Sequence, residues 1–170
     1  VYFSLAQKDI NNKSEPLSKA KYFNKKTLKW ANDSTDLISQ GKIYSFEEEY
    51  GLAEESFKSA INKYPSSFNG YLYLTVLYFN QNRFSEIHSL LDKILPKYRK
   101  EYILSPLYMV PDKKIPLAKI SFLHNINGVA YFNENKFEEA KTEFEKAISY
   151  FPQNDSAFKN LLILKEIEAQ

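Results

Sequence analysis

Residues 128–152 read GVAYFNENKFEEAKTEFEKAISYFP, and residues 41–65 read GKIYSFEEEYGLAEESFKSAINKYP. Laid over one another without a gap, they share Gly41 and Gly128, Tyr44 and Tyr131, Ala53 and Ala140, Phe57 and Phe144, Ala60 and Ala147, and Pro65 and Pro152. Tyr50 is matched by Phe137, and every pair is 87 residues apart. A weaker copy lies between them, displaced by 34 from the first: Thr75, Tyr78, Phe84, Ile87, Leu91 and Ile94. Two periods of 34 and a surplus of 19 residues account for the offset of 87. The spacing therefore predicts repeats over 34–67, 68–101 and 121–154, with an insertion at 102–120.

The intervals inside each unit have a physical meaning. Gly and Tyr three apart share one face of a first helix. Ala, Phe and Ala, four and three apart, share one face of a second. Small residues let the two backbones approach, and the aromatics fill the remaining space. Asn133-Glu134-Asn135-Lys136 reads as the turn between them, and Pro65 and Pro152 stop the second helices. Such a pair cannot bury its apolar face alone and must stack on a neighbour.

In period and in residue order, the pattern resembles the tetratricopeptide repeat, closely in the first and third copies and loosely in the second. The Trp that the family carries near the start of its first helix is absent, with Leu37, Tyr71 and His124 at the matching places. The resemblance implies an all-α, right-handed solenoid of antiparallel helix pairs. It also implies that the first helix of each pair faces the concave side. The matching residues include an aromatic and aliphatic stripe of Tyr73, Val76, Phe79, Phe122, Ile126, Val129 and Phe132. Some family members grip a C-terminal carboxylate with Lys, Arg and Asn at these places. Lys42 and Asn125 alone do not reproduce that clamp. The stripe is the expected partner-binding groove, unless the chain itself covers it.

The flanks extend the array. Residues 1–15 read as a flexible N-terminus. Ser4 and Ala6 resemble the end of a secretory signal, which would place the protein outside the cytoplasm; an ordinary terminus leaves it inside. Residues 16–33 read as a helix or decayed half-repeat opened by Pro16. Residues 155–170 read as a capping helix, with Asp155 and Ser156 as N-cap types. Its Phe158, Leu161, Leu162, Ile163, Leu164 and Ile167 make it more apolar than a cap needs. A following repeat, or self-association through 158–167, would explain that. The insertion carries Ile103, Leu104, Leu107, Tyr108, Met109 and Val110 among Pro106, Pro111 and Pro116. It is too apolar for a free linker and is expected to dock, in the groove or over the joint between repeats.

Composition excludes several activities. The chain has no cysteine, so thiolate metal sites and cysteine nucleophiles are absent. Its four glycines, Gly41, Gly51, Gly70 and Gly128, are too widely spaced for a phosphate-cradling loop. His88 and His124 have no second histidine at ligand spacing and read as packing residues. Glu47, Glu48 and Glu49 sit where carboxylates complement a helix dipole. Glu138, Glu139, Glu143 and Glu145 alternate with Lys141 and Lys146 as on a solvated face. The longest apolar run, Tyr71 to Phe79, is far short of a membrane span.

The net charge of +2 and arginines only at 83 and 99 disfavour nucleic acid. Lysine clusters at 8–30 and 93–119 read as solvated surface, the alternative being a site for an acidic partner or an anionic membrane surface. The expectation is a non-catalytic module without cofactor or metal, whose partner is another protein or a peptide segment. The alternative is a structural subunit of a larger repeat protein or oligomer that packs through its C-terminal helix.

Overall fold

The computed structural model describes residues 34–65, 67–104 and 114–168. Among these it contains seven helices and no strand. They are α1 (Ser34–Phe46), α2 (Tyr50–Lys63), α3 (Phe68–Asn80), α4 (Phe84–Leu104), α5 (Lys114–Asn133), α6 (Phe137–Tyr150) and α7 (Asp155–Glu168). The chain forms two compact units that divide within α3, Val1–Leu77 and Tyr78–Gln170. The N-terminal segment 1–15, with the signal-like residues within 1–6, the expected helix at 16–33 and the middle of the insertion lie outside the described residues.

In the first unit α1 and α2 form a helix pair. Ala53, Ser56, Phe57 and Ala60 make the buried face of α2. The Phe57 ring lies against Gly41 of α1, where a Cβ would sit 2.6 Å from ring Cδ1. In the second unit α5 and α6 repeat the arrangement. Ala140, Glu143, Phe144 and Ala147 are buried, and a Cβ on Gly128 would again lie 2.6 Å from Cδ1 of Phe144. Glycine is required at both places by this close approach.

The turns between first and second helices are also copies of one another. Glu49 N–H donates to Tyr44 O, Arg83 N–H to Tyr78 O, and Lys136 N–H to Tyr131 O, each at 2.9 Å. The preceding residues, Glu48, Asn82 and Asn135, have φ of 62, 55 and 59°. This is a Schellman C-cap with its left-handed residue at one repeat position throughout. Asparagine tolerates that conformation, whereas glutamate does so at a cost. Glu49 is the N-cap of α2 and makes no side-chain capping bond.

α2 and α6 stop just before Pro65 and Pro152, whereas α4 runs on to Leu104. Arg99 stands where the other copies have proline, so nothing there arrests the helix. Pro96 lies inside α4 and removes one backbone donor. α5 begins at Lys114, and Pro116 falls in its first turn, where its missing N–H has no helical partner to lose. Both ends of the 102–120 segment are thus helical.

α7 is capped by Asn154, whose Oδ1 accepts from Ala157 N–H at 3.1 Å, rather than by Asp155 or Ser156. Ala157, Leu161 and Leu164 form its buried face, while Phe158, Leu162, Ile163 and Ile167 are exposed.

Candidate functional site

The expected stripe falls on α3 and α5. In the first unit Tyr73 and Val76 are half-buried. The Tyr73 ring stacks on Phe57, with centroids 5.8 Å apart and planes 18° from parallel. The Lys42 ammonium lies 5.1 Å from the same ring's centroid, a cation–π distance.

In the second unit Phe79, Phe122, Val129 and Phe132 are half-buried, whereas Ile126 is only 5% exposed and belongs to the packed interior. Val129 and Phe132 lean on a cluster of Ala140, Phe144, Leu161 and Leu164. Phe132 also meets the Phe137 ring at 5.6 Å and 56°. Val129 and Phe132 thus have their inner sides in the core, and Phe79, Phe122, Val129 and Phe132 all remain partly accessible. Asn125, one of the two residues of the incomplete carboxylate clamp, is buried, and its Oδ1 accepts from Asn160 Nδ2 of α7 at 3.0 Å. Its carbonyl oxygen is therefore turned to α7.

A second polar assembly was not foreseen from the residue pattern. Glu143 is 7% exposed and is not part of a solvated face; Glu138, Glu139 and Glu145 are exposed as expected. It lies three residues after Ala140 and one before Phe144, on the inner side of α6. Its Oε2 accepts from His124 Nδ1 at 2.8 Å and from Asn127 Nδ2 at 3.0 Å. Its Oε1 accepts from Lys146 Nζ at 2.6 Å. Burial pushes the carboxyl pKa up, but the hydrogen bonds from His124, Lys146 and Asn127 outweigh it and bring it down to about 2.

The assembly continues to α4. With its amide N–H turned to Glu143, Asn127 offers Oδ1 to Nδ1–H of His88 at 2.7 Å. His88 Nε2 faces Glu134 Oε2 at 3.2 Å, and Lys136 Nζ donates to that same oxygen at 2.8 Å. Both imidazoles are stacked as well, His88 on Tyr131 at 3.8 Å and His124 on Tyr150 at 5.2 Å.

Chemically this arrangement ties α4, α5 and α6 together. Three donors occupy the Glu143 carboxylate, so it is poorly placed to act as a general base. Among the described residues no group of three or more His, Asp or Glu converges as a metal site. No described helix is long and apolar enough to cross a membrane.

Residues 121–154, the span of α6 and most of α5, match the tetratricopeptide repeat family model. No curated protein sequence matches the chain. Among solved structures the chain is similar to the first tetratricopeptide domain of human RPAP3, with TM-score 0.57 and 20% identity over 80% of this chain and 92% of that one. It is similar to the N-terminal domain of stress-induced protein-1 from C. elegans, with TM-score 0.62 and 20% identity over 79% and 94%. It is also similar to the first tetratricopeptide domain of Spaghetti (RPAP3) bound to the HSP90 peptide SRMEEVD, with TM-score 0.56 and 19% identity over 81% and 94%. At these identities the likeness is one of fold. The class is therefore the all-α helical-repeat solenoid. The chain carries a tetratricopeptide repeat at residues 121–154 and has the fold of tetratricopeptide domains, a fold used for protein–protein interaction.

Proposed function

We propose that this chain is a non-catalytic interaction module that binds an apolar peptide segment along the first helices of its pairs. Phe79, Phe122, Val129 and Phe132 serve as contact residues in the second unit, with Ile126 packed beneath them. Tyr73 and Val76 serve the same role within the first unit. The observation that carries the reading is the half-buried state of Phe122, Val129 and Phe132, each with apolar surface left accessible on one helix. Aromatic side chains so placed offer contact area at little cost in conformational entropy.

The solved neighbour's peptide, SRMEEVD, is acidic at its C-terminal end. In this chain Asn125 is buried, which leaves Lys42 as the one exposed residue of the pair, so a terminal carboxylate is not the expected determinant. The test is selection from a random peptide library displayed with free and with blocked C-termini. The intact chain should enrich apolar and aromatic sequences in both formats, and a Phe79→Ser/Phe122→Ser variant of equal helicity should lose them. Enrichment of acidic sequences in the free-terminus format alone would overturn the proposal, as would undiminished selection by the variant.

A further inference from the structure

Phe158 is 55% exposed, Leu162 59%, Ile163 49% and Ile167 40%, all on α7. Soluble proteins seldom leave so many large apolar side chains together in water without a use for them.

Leu162 restricts what fits against this face. It stands 34 residues after Gly128, at the place where α5 receives the Phe144 ring. A Cβ at Gly128 would lie 2.6 Å from Cδ1 of Phe144, and the same holds for Gly41 and Phe57. A helix bearing a ring at that position cannot seat on α7 as α6 seats on α5. A further second helix with the ring of the first and third copies is therefore a poor occupant.

The charges point to a different one. At about 100° per residue, Lys159, Leu162, Ile163 and Glu166 share the middle of the exposed face, and Phe158 and Ile167 lie at its two edges. Lys159 and Glu166 are both exposed. An antiparallel α7 from a second copy, related by a two-fold axis between Leu162 and Ile163, brings these two side chains against their own counterparts. In the same register Lys159 faces Glu166 of the second copy, and this happens twice. A parallel register would instead oppose lysine to lysine and glutamate to glutamate.

We propose that α7 is a self-association surface that pairs two copies of this chain in that antiparallel register. The surface uses none of the residues assigned above to peptide contact. One helix per copy buries less than the ~1,200 Å² at the low end of stable interfaces. The dimer is accordingly weak, and it forms at protein concentrations on the order of 0.1 mM.

Sedimentation velocity on the whole chain, from about 10 µM to about 1 mM, reads the equilibrium directly. The sedimentation coefficient should rise toward that of a dimer, and Leu162→Glu should hold it at the monomer value. Lys159→Glu and Glu166→Lys should each weaken association on the order of tenfold at low salt. The double variant Lys159→Glu/Glu166→Lys should restore it, because the reversed pairs again have opposite signs. All these positions are exposed, and circular dichroism should show unchanged helicity. A chain that stays monomeric to the highest concentration would overturn the proposal. A dimer that survives Leu162→Glu, or a double reversal that recovers nothing, would do the same.

Discussion

Replacing Gly128 by alanine should destabilise the protein, although the same change in an ordinary helix interior gains about 1 kcal/mol. The sign follows from the space available. The added methyl would lie 2.6 Å from Cδ1 and 3.1 Å from Cζ of Phe144, where ordinary contact begins near 3.4 Å. The ring cannot swing aside, because it is 1% exposed and clustered with Ala140, Leu161 and Leu164. Overpacking of this kind costs roughly 1–3 kcal/mol, and the rigid surroundings place it at the upper end. After the propensity gain, a net loss of about 2 kcal/mol is expected.

Urea denaturation followed by circular dichroism measures it, with the m-value unchanged. Gly51→Ala is the matched control, since nothing lies within 4 Å of its added Cβ, and it should be neutral or stabilising by up to about 1 kcal/mol. Gly128→Ala/Phe144→Leu should be less than additive, because the smaller side chain relieves the clash. If Gly128→Ala stabilised the protein as much as Gly51→Ala, the ring would not be seated on the glycine and the packing argument would fail.

Three further expectations are independent of that one. Glu48→Gly relieves a left-handed φ at an exposed side chain and should stabilise by about 0.5–1 kcal/mol, whereas a loss in thermal denaturation would refute the cap assignment. The Glu143 carboxyl, lowered from 4.5 to about 2 in the folded state, contributes stability that is complete above pH 4.5 and is lost as pH falls from there toward 2. That contribution is on the order of 3 kcal/mol. Glu143→Gln should flatten this part of the acid-denaturation curve, and an unchanged curve would exclude the carboxylate as its source. Asn127→Leu removes the link between the two histidines and leaves Glu143 one donor short; it should cost about 1–3 kcal/mol in urea denaturation, and a neutral result would show that the network does not hold α4 to α5.

The helix pairs were legible because their packing imposes paired requirements at fixed spacing. A ring at 57 or 144 needs a glycine at 41 or 128, and each turn closes with the same backbone bonds. Features private to one repeat were not legible. Glu143 occupies the place of Ser56, Asn127 that of Gln40 and His124 that of Leu37, so no comparison between copies announces the buried network. The alternation of Glu and Lys along α6 suggested solvent, although the neighbouring Ala140, Phe144 and Ala147 already placed Glu143 on the inner side. α4 outran its expected end because the missing proline at 99 outweighed Pro96 within it.

The stripe on α5 was the hardest to read. Residues packed inward and residues left at the surface share one helical spacing there. Only the structure separates buried Ile126 from half-buried Phe122, Val129 and Phe132. The inward turn of Asn125 toward Asn160 likewise depends on how α7 lies against α5.

The most direct test of the interaction reading is the affinity of a selected apolar peptide, measured by fluorescence anisotropy at low and high salt for the intact chain and for Phe122→Ser. Binding should change little with salt and should weaken roughly ten- to a hundredfold in the variant, as removal of one well-packed aromatic contact implies. Affinity unchanged by Phe122→Ser and falling steeply with salt would contradict the account and move recognition to the lysine-rich surface.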